Sequence, residues 1–411
     1  MWDSPRLADV LITLALATDL GMGRPLGSAL RRCLDAMGAP GRDVTSEAAA
    51  DIYYSSLLTD LGCTATTTER ARRAGADLPP VTGRGARTWR QAEAEVSVRL
   101  GARLGIGEEV LRLLRTRTGT DAARSVAEED ARLEREPEDF EALRGAVLAA
   151  DPSPDRLVND LDAALAVISD FADLKSPFLL GHSRRVAALA AAAAEPAGIP
   201  EDSDLLRHAG LVHDIGRVGV SSFIWNKAET LEVEEMEQVR RHPFHTERLL
   251  EHSEIVGPLA GLASSHHECV DGSGYHKGAS GDELTQAARL LAAADDLSAL
   301  TELRPHRPAM DREQAERVLK HFVDSGCLDR EAVDAVLSAV DAGALSTSRS
   351  EPEADLVRMA ARGLSAAEIR KTLGWNRSKV KAEVKATYAR FRVTNRAALA
   401  AVALEQGFFP E

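Results

Sequence analysis

Cysteine and aromatic residues are scarce in this 411-residue chain, and long apolar runs are missing altogether. The four cysteines lie far apart in the sequence, which predicts neither a disulfide framework nor a cysteine-based zinc site. They are Cys33, Cys63, Cys269 and Cys327. The longest apolar runs end after about ten residues, whereas a membrane-spanning helix needs about 20. Since the first residues also lack a signal-peptide layout, we expect a cytoplasmic protein with no membrane partner.

Positive charge is in deficit as well, and it is unevenly distributed. The net charge of −14 at pH 7 argues against nonspecific coating of nucleic acid by the whole molecule. The segment from Leu364 to Arg396 nevertheless carries nine basic residues against two acidic ones. A basic module attached to an acidic body predicts one surface that binds a polyanion.

Histidine is absent from the first 181 and the last 90 residues, so that all eleven histidines lie between His182 and His321. Histidine is the commonest metal ligand and the usual acid or base at neutral pH, so this region is where we expect the chemistry. Seven of its residues are candidate metal ligands: His182, His213, Asp214, His242, His266, His267 and Asp295.

Imidazoles combined with carboxylates suit divalent ions such as Fe, Mn, Zn or Ni. Seven ligands are too many for one tetrahedral ion with an open position, so we predict two ions that share Asp214 as a bridge. Two such ions, about 3.5–4 Å apart, generate a hydroxide nucleophile and hold a phosphoryl group.

Apolar residues recur at the helical spacing of three and four, and period-two strand runs are absent. We therefore predict an all-α protein. Stretches rich in Gly, Pro and Ser divide it into domains at 1–150, 151–345 and 350–411.

An internal comparison links the first two domains. When the sequence is shifted by 154 positions, Asp19 falls on Asp173, and Thr59-Asp60 falls on His213-Asp214. The N-terminal domain is thus predicted to be a degenerate copy of the central one, with Ser28 and Thr59 in place of histidines. A generic helical domain with chance similarity is the alternative.

Two segments of the central domain carry a family pattern. The segment from His266 to His276 reads His-His-Glu-Cys-Val-Asp-Gly-Ser-Gly-Tyr-His. The segment from Asp295 to Arg307 reads Asp-Asp-Leu-Ser-Ala-Leu-Thr-Glu-Leu-Arg-Pro-His-Arg. In this order after His182 and His213-Asp214, they resemble the motifs of the HD-GYP branch of the HD superfamily of metal-dependent phosphohydrolases. The resemblance implies an HD-superfamily helical core, two divalent ions bound by the seven ligands, and hydrolysis of a cyclic dinucleotide such as cyclic di-GMP or of another phosphorylated nucleotide.

The chain departs from the family pattern at three positions. Arg217 replaces a lysine; it stays charged and can hold phosphate, but it cannot donate a proton as lysine can. His276 replaces the proline of Gly-Tyr-Pro, and Phe178 replaces a glutamate that binds a third metal in some relatives, so two ions are expected. The resemblance implies catalytic roles for Asp214 and Arg217. Substrate contacts are expected from Arg217, Gly274, Tyr275, Arg304 and Arg307.

The basic segment has the helix-capping and turn residues of a helix-turn-helix. Ser365 and Glu368 form the pattern of a capping box, Gly374 makes a turn, and Asn376 precedes a basic helix. The segment from Asp355 to Gly407 is similar to the LuxR-type DNA-binding domain, which implies a four-helix module, double-stranded DNA as partner and a homodimer. The residues expected to face DNA are Arg377, Lys379, Lys381 and Lys385. A basic, solvated helical hairpin is the alternative.

The favoured hypothesis is a bacterial regulator in which a dinuclear phosphohydrolase is linked to DNA binding. A second hypothesis is a transcription factor whose metal domain binds a nucleotide without turnover. In a third, the metal is purely structural, and substitution of His213 would unfold the central domain.

Overall fold

The structure, a computed structural model, describes residues 6–38, 46–63, 86–107, 139–158, 160–344 and 352–409. Within these ranges the regular structure is helical, and extended pairing is limited to two isolated bridges, Arg6 with Leu157 and Arg304 with Arg307. The predicted all-α class is confirmed. The predicted boundary at 345–350 lies outside the described residues. In the part of the chain that is described, no helix combines the length and apolarity needed to cross a membrane.

The N-terminal domain is built around one very apolar helix. Its helices are α1 (Leu7–Gly21), α2 (Ser28–Met37), α3 (Ser46–Leu58), α4 (Ala86–Arg103) and α5 (Phe140–Ala149). Helix α1 is buried from Leu7 to Asp19 because α2 and α3 pack on one side of it and the turn Ile215–Gly219 of the central domain packs on another. The first two domains therefore share one hydrophobic core.

The central domain surrounds α7 (His182–Ala193), which packs against α6 (Leu161–Asp173), α8 (Ser203–Val212), α13 (Gln286–Thr301) and α15 (Arg330–Asp341). The helices of the domain are α6 (Leu161–Asp173), α7, α8 (Ser203–Val212), α9 (Ser222–Trp225), α10 (Val233–Arg240), α11 (His242–Glu251), α12 (Ala260–Ala263), α13 (Gln286–Thr301), α14 (Arg312–Asp324) and α15 (Arg330–Asp341).

Two of the C-terminal helices begin directly after the residues that the sequence predicts as caps, Ser365 and Asn376. The C-terminal helices are α16 (Pro352–Ala361), α17 (Ala366–Leu373), α18 (Arg377–Arg390) and α19 (Arg396–Glu405). The capping box of Ser365 and Glu368 is formed, and the side chain of Asn376 accepts a hydrogen bond from the Lys379 backbone N–H. Gly374 has a φ of 66°, a left-handed conformation that favours glycine, and it ends α17.

The C-terminal module packs against both other domains. Residues 397–404 of α19 are buried between α16 and α4 of the N-terminal domain. Beyond α19, the side chain of Phe409 lies so close to Gly181 that a Cβ on that glycine would be 2.6 Å from the Phe409 Cβ. The module thus contacts the residue that directly precedes the candidate ligand His182.

The two halves related by the shift of 154 positions share local geometry. Gly27 and Gly181 both have a left-handed φ, 88° and 80°, immediately before α2 and α7. In each half an aspartate on the preceding helix accepts a hydrogen bond from the second residue of the new helix. The two bonds run from the Ala29 N–H to Asp19, 2.9 Å, and from the Ser183 N–H to Asp173, 3.1 Å.

A second correspondence lies at the next pair of glycines. The Gly62 N–H donates to Ser97 Oγ at 2.9 Å, and the Gly216 N–H donates to Thr246 Oγ1 at 3.0 Å. Both glycines also press against backbone: a Cβ would lie 1.8 Å from the Glu93 carbonyl in the first half and 2.1 Å from the His242 carbonyl in the second. By this geometry Glu93 occupies the place of His242.

The spacing of the cysteines predicted no disulfide framework, but the structure contains one disulfide. Cys269 and Cys327 form a disulfide, 58 positions apart in the sequence. Two backbone hydrogen bonds accompany it: Val270 N–H to the Cys327 carbonyl, 2.9 Å, and Asp271 N–H to the Gly326 carbonyl, 3.0 Å. Sequence separation concealed the pair because the turn after α14 folds back onto the loop that follows His267.

Candidate metal centre

The candidate ligands lie mostly at helix ends. His182 is the first residue of α7, His213 directly follows α8, and His242 is the first residue of α11. His266-His267 lies just beyond α12, while Asp295 lies within α13. Helix α8 packs against α7 and α13, and the turn after α8 packs against α11, so these positions converge.

Four of the ligands form one fully buried group, His182, His213, Asp214 and Asp295, whose ligand atoms all lie within 4.8 Å of one another. The Nε2 atom of His182 is 2.9 Å from Asp295 Oδ1, and that of His213 is 3.0 Å from Asp214 Oδ2. We call this group the buried cluster.

The other three histidines, His242, His266 and His267, form a second group. The Nε2 atoms of His242 and His266 are 3.0 Å apart. The side chain of His267 is 21% exposed, whereas His242 and His266 are buried. We call this group the open cluster, because solvent reaches it at His267.

Asp214 lies between the two clusters. Its Oδ2 atom faces the buried cluster, 3.0 Å from His213 Nε2 and 3.4 Å from His182 Nε2. Its Oδ1 atom faces the open cluster, 3.4 Å from His242 Nε2 and 3.5 Å from His266 Nε2. One carboxylate thus offers one oxygen to each side, which is the arrangement that a bridging ligand requires.

Several buried polar atoms of the buried cluster lack a hydrogen bond within the described structure. They are His182 Nε2, His213 Nε2, Asp214 Oδ1 and Oδ2, and Asp295 Oδ1. Leaving a buried polar atom without a partner costs about 1–3 kcal/mol. A divalent cation satisfies such atoms together, and imidazole nitrogens with carboxylate oxygens are a donor set that suits it. The residues present therefore fit a metal ion.

The electrostatics of the buried cluster also favour a cation. Burial would raise the pKa of Asp214, but the charges of Arg217 and His213 outweigh it and hold the pKa well below its ordinary value. Burial likewise opposes protonation of His213, yet the charge of Asp214 raises the pKa of that imidazole to about 9. In the open cluster burial dominates and lowers the pKa of His242 to about 4, which keeps this imidazole neutral and able to bind a metal.

Arg217 lies against the bridging carboxylate. Its Nη1 atom is 2.6 Å from Asp214 Oδ2, and its guanidinium lies over the ring of Trp225 at 5.3 Å. The Trp225 indole N–H donates to the backbone carbonyl of Arg217, which fixes the ring in place. The structure therefore brings Arg217 to the metal ligands, with its Nε atom making no hydrogen bond.

The two expected phosphate-binding arginines differ in what they contact. Arg304 donates to Glu302 Oε2 at 3.0 Å and to the Phe178 carbonyl at 3.3 Å. Arg307 donates instead to backbone carbonyls at the end of α13, 2.6 Å from that of Ala299 and 2.9 Å from that of Leu300. The last carbonyls of a helix have no partner within it, so Arg307 closes the end of α13. Its contact with phosphate stays a prediction.

The loop of Gly274 and Tyr275 covers the open cluster. The Tyr275 ring lies 4.6 Å from that of His267, and its backbone N–H donates to the His267 carbonyl. Gly274 is required there because a Cβ would lie 2.5 Å from the Cα of Glu268. His276, which replaces the family's proline, points away and contacts Glu247 at 3.2 Å.

Glu268 is a structural residue of this loop that sequence reasoning missed. Its buried carboxylate accepts backbone hydrogen bonds from His276, Lys277 and Ala279 at 3.0–3.3 Å. The signal that could have found it is its place in the family signature, directly after His266-His267. The carboxylate holds the loop over the open cluster.

The four residues expected to face DNA are all exposed on one helix. The structure places Arg377, Lys379, Lys381 and Lys385 on α18, all exposed. The opposite side of α18 packs through Val380 on α16 and α17. The basic face is therefore free of the other two domains, and Lys379 lies over the ring of Trp375 at 4.2 Å.

Residues 166–332 match the family model of the HD domain. The prediction of an HD domain in the central part of the chain is therefore confirmed. The match includes every candidate metal ligand and ends before the C-terminal module.

Curated relatives match part of the chain. A 3′3′-cGAMP-specific phosphodiesterase of Vibrio cholerae serotype O1 is 35% identical over 182 residues, 44% of this chain and 39% of the relative. A cyclic di-GMP phosphodiesterase of Pseudomonas aeruginosa is 33% identical over 163 residues, 39% of this chain and 38% of the relative. The chain thus spans about two fifths of the length of these relatives.

A solved structure resembles the chain over a longer stretch. The crystal structure of a cyclic GMP-AMP specific phosphodiesterase of V. cholerae superimposes with a TM-score of 0.54 and 22% identity, covering 82% of this chain and 98% of the other. This likeness shows a shared helical fold that extends beyond the HD domain.

Proposed function

We propose that the chain is a metal-dependent phosphodiesterase that hydrolyses a cyclic dinucleotide. The observation that carries the proposal is the position of Asp214, with one oxygen facing each of two ligand clusters. The buried cluster and the open cluster would each hold one divalent ion, as the sequence predicted from the number of ligands.

The two ions would supply Lewis acidity and lower the pKa of a water that attacks phosphorus. The chain's own residues orient the substrate. Arg217 holds positive charge beside Asp214, where charge builds on the phosphate oxygens. Arg304, buried beside Glu302, is the better placed of the two expected arginines for a second phosphate contact.

The substrate class follows from the relatives and the open cluster. The relatives are named as phosphodiesterases of 3′3′-cGAMP and of cyclic di-GMP. Tyr275 and the partly exposed His267 offer rings at the mouth of the site, on which a purine base could stack. We therefore propose a cyclic dinucleotide of two purine nucleosides, with both compounds as candidates.

A direct assay tests this function. Purified protein supplied with Mn²⁺ is incubated with cyclic di-GMP or 3′3′-cGAMP, and linear products are separated by chromatography. We expect hydrolysis by the wild type, none by His213→Ala, and unchanged hydrolysis by His321→Ala, since His321 is exposed on α14. A metal-loaded wild type that leaves both compounds intact contradicts the proposal.

If the compounds stay intact but raise the melting temperature of the protein, the domain is a nucleotide sensor without turnover. If His213→Ala unfolds the central domain while His321→Ala does not, the metal is structural.

The C-terminal module is proposed to bind double-stranded DNA through the exposed face of α18. The support is the exposure of its four basic side chains and the helix caps that define α17 and α18. A LuxR-type identity and a homodimer remain predictions. Residues 397–404 of α19 are not available to a second copy, because they are buried within the chain.

A contact between the C-terminal module and the residue before His182 could couple DNA binding to hydrolysis. The guanidinium of Arg362, a half-buried residue just after α16, lies over the Phe409 ring at 5.2 Å. Phe409 in turn packs on Gly181 beside His182. Burial lowers the pKa of Arg362, and the nearby negative charge of Glu302 partly opposes that shift. The regulatory module therefore reaches the edge of the metal centre.

Fluorescence polarisation with a random-sequence duplex at low salt tests DNA binding. We expect Lys381→Glu to weaken binding and Lys320→Glu, a matched change on the exposed side of α14, to have little effect. Equal affinities for the two variants contradict the proposed surface. Addition of cyclic di-GMP then shows whether the two activities are coupled.

The N-terminal domain is proposed to be a degenerate copy that binds no metal. Ser28, Thr59 and Glu93 stand where the central domain has His182, His213 and His242. Within the described ranges, both groups that could hold a metal ion belong to the central domain.

A further inference from the structure

Each metal-facing imidazole has a second ring nitrogen, and the structure shows how most of these are held. In three cases Nδ1 lies close to the backbone carbonyl three residues earlier. The pairs are His213 with Gly210, 2.7 Å; His242 with Val239, 2.6 Å; and His266 with Ala263, 2.6 Å. Such a bond fixes the ring and leaves Nε2 free for the metal.

His182 is held differently. As the first residue of α7, it follows Gly181 in a left-handed conformation, and its Nδ1 turns away from its own helix. The atom lies 2.9 Å from Oε2 of Glu302, a side chain at the far end of α13. The position of Glu302 is one that the family motif Ala-Leu-Thr-x-x-Arg leaves open.

Glu302 is a charged group enclosed by cations. Its side chain is 10% exposed, and the same Oε2 atom accepts a hydrogen bond from Arg304 at 3.0 Å. The carboxylate is thus paired with a guanidinium, and a charged acceptor makes a stronger hydrogen bond than a backbone carbonyl does.

We propose that Glu302 is a positioning residue of the metal centre, which orients His182 towards the buried cluster and fixes the spacing between His182 and Arg304. The inference rests on the proposed metal-dependent function. By accepting a hydrogen bond from Nδ1–H, Glu302 keeps the proton on Nδ1 and the lone pair on Nε2. The Nε2 atom is therefore a better ligand for the metal. Through its shared oxygen, it also ties the ligand to the arginine that would contact phosphate.

The test measures metal affinity rather than turnover. Mn²⁺ is titrated against a chelating dye into the wild type, Glu302→Gln and Glu302→Ala. Glu302→Gln keeps the size of the side chain and an oxygen acceptor but removes the charge. The matched control is Glu316→Gln, which removes a carboxylate paired with Arg312 and Lys320 on the distant helix α14.

We expect one of the two ions to bind about 10- to 100-fold more weakly in Glu302→Gln, and more weakly still in Glu302→Ala. The second ion and the control should keep wild-type affinity. The visible spectrum of Co²⁺-loaded protein should change in the same order, because the environment of one ion loses an oriented imidazole.

Unchanged affinity for both ions in Glu302→Gln and Glu302→Ala overturns the proposal, and so does a lowered melting temperature with unchanged affinities, since that is a purely structural effect. A well-folded wild type that binds no Mn²⁺ overturns the metal-dependent function itself, so the two failures are distinguishable. Circular dichroism confirms that each variant is folded before the titration.

Discussion

Replacement of Gly216 by alanine should weaken metal binding at the open cluster, although Gly216 is not itself a candidate ligand. A Cβ at this position would lie 2.1 Å from the His242 carbonyl and 2.4 Å from the Thr246 backbone nitrogen. Neither atom can rotate away, because both belong to the backbone at the start of α11. The helix must therefore shift by about 1 Å, beyond the roughly 0.5 Å within which a metal site keeps its geometry.

The size of the effect follows from two terms. Overpacking of a tight contact costs about 1–3 kcal/mol. Loss of the bond from Gly216 N–H to Thr246 Oγ1 adds about 1 kcal/mol. We expect Gly216→Ala to lower the free energy of unfolding by about 3 kcal/mol and to reduce metal content at the open cluster, where the Nε2 atoms of His242 and His266 are 3.0 Å apart.

Two matched glycine variants separate stability from metal binding. Gly62→Ala presses on the Glu93 carbonyl in the N-terminal domain, so it should destabilise the protein yet leave the metal content unchanged. Gly145→Ala lies in α5 with no atom within 4 Å of the new Cβ, and it should stabilise the protein by about 0.5–1 kcal/mol. Urea unfolding and elemental analysis measure both quantities. If Gly216→Ala keeps both its stability and its metal, the close contact does not position the centre.

Three further predictions follow from particular contacts. Arg304→Ala should lower kcat/KM for the cyclic dinucleotide. Arg307→Ala should mainly lower stability, by about 1–3 kcal/mol, because the Ala299 carbonyl near the end of α13 loses the Arg307 donor; the reverse pattern contradicts the assignment. Reduction of the Cys269–Cys327 bond should lower the free energy of unfolding by up to about 4 kcal/mol, because the bond restricts the unfolded chain between cysteines 58 positions apart. Identical urea unfolding curves with and without reductant speak against the bond. Burial raises the pKa of Asp19 from 3.8 to about 6, so the stability that this group contributes is complete below pH 3.8 and is lost as pH rises through 6. The free energy of unfolding of Asp19→Asn should therefore rise by about 2–3 kcal/mol relative to that of the wild type between pH 4 and 7.5. A difference between the two proteins that is independent of pH in urea unfolding refutes this.

The residues that the structure brings into the two clusters could be selected from the sequence, because metal chemistry restricts candidate positions to a few residue types. Few residue types bind divalent metals, and the confinement of histidine to one region marked the place before any fold was known. The caps of α17 and α18 were predictable for a similar reason, since Ser365 and Asn376 satisfy backbone groups of their own helices and need no distant partner.

Contacts between segments that are distant in the chain could not be predicted from the sequence. The Cys269–Cys327 pair depends on how the turn after α14 folds back, and the role of Arg307 depends on where α13 ends. The contact of Phe409 with Gly181 forms only when the C-terminal module packs against the central domain. Glu302 escaped notice because a glutamate between Thr301 and Leu303 has no local signal of a partner 120 positions away.

The central claim is a two-metal centre bridged by Asp214. It is tested most directly by elemental analysis of protein purified without chelator and supplied with metal, as wild type and as three variants confirmed to be folded. We predict about two ions per chain in the wild type, about one in His182→Ala and in His267→Ala, and none retained by Asp214→Asn, because that carboxylate lies within 3.5 Å of histidine nitrogens of both clusters. A wild type with a single ion, or an Asp214→Asn variant that still holds two, would contradict the account.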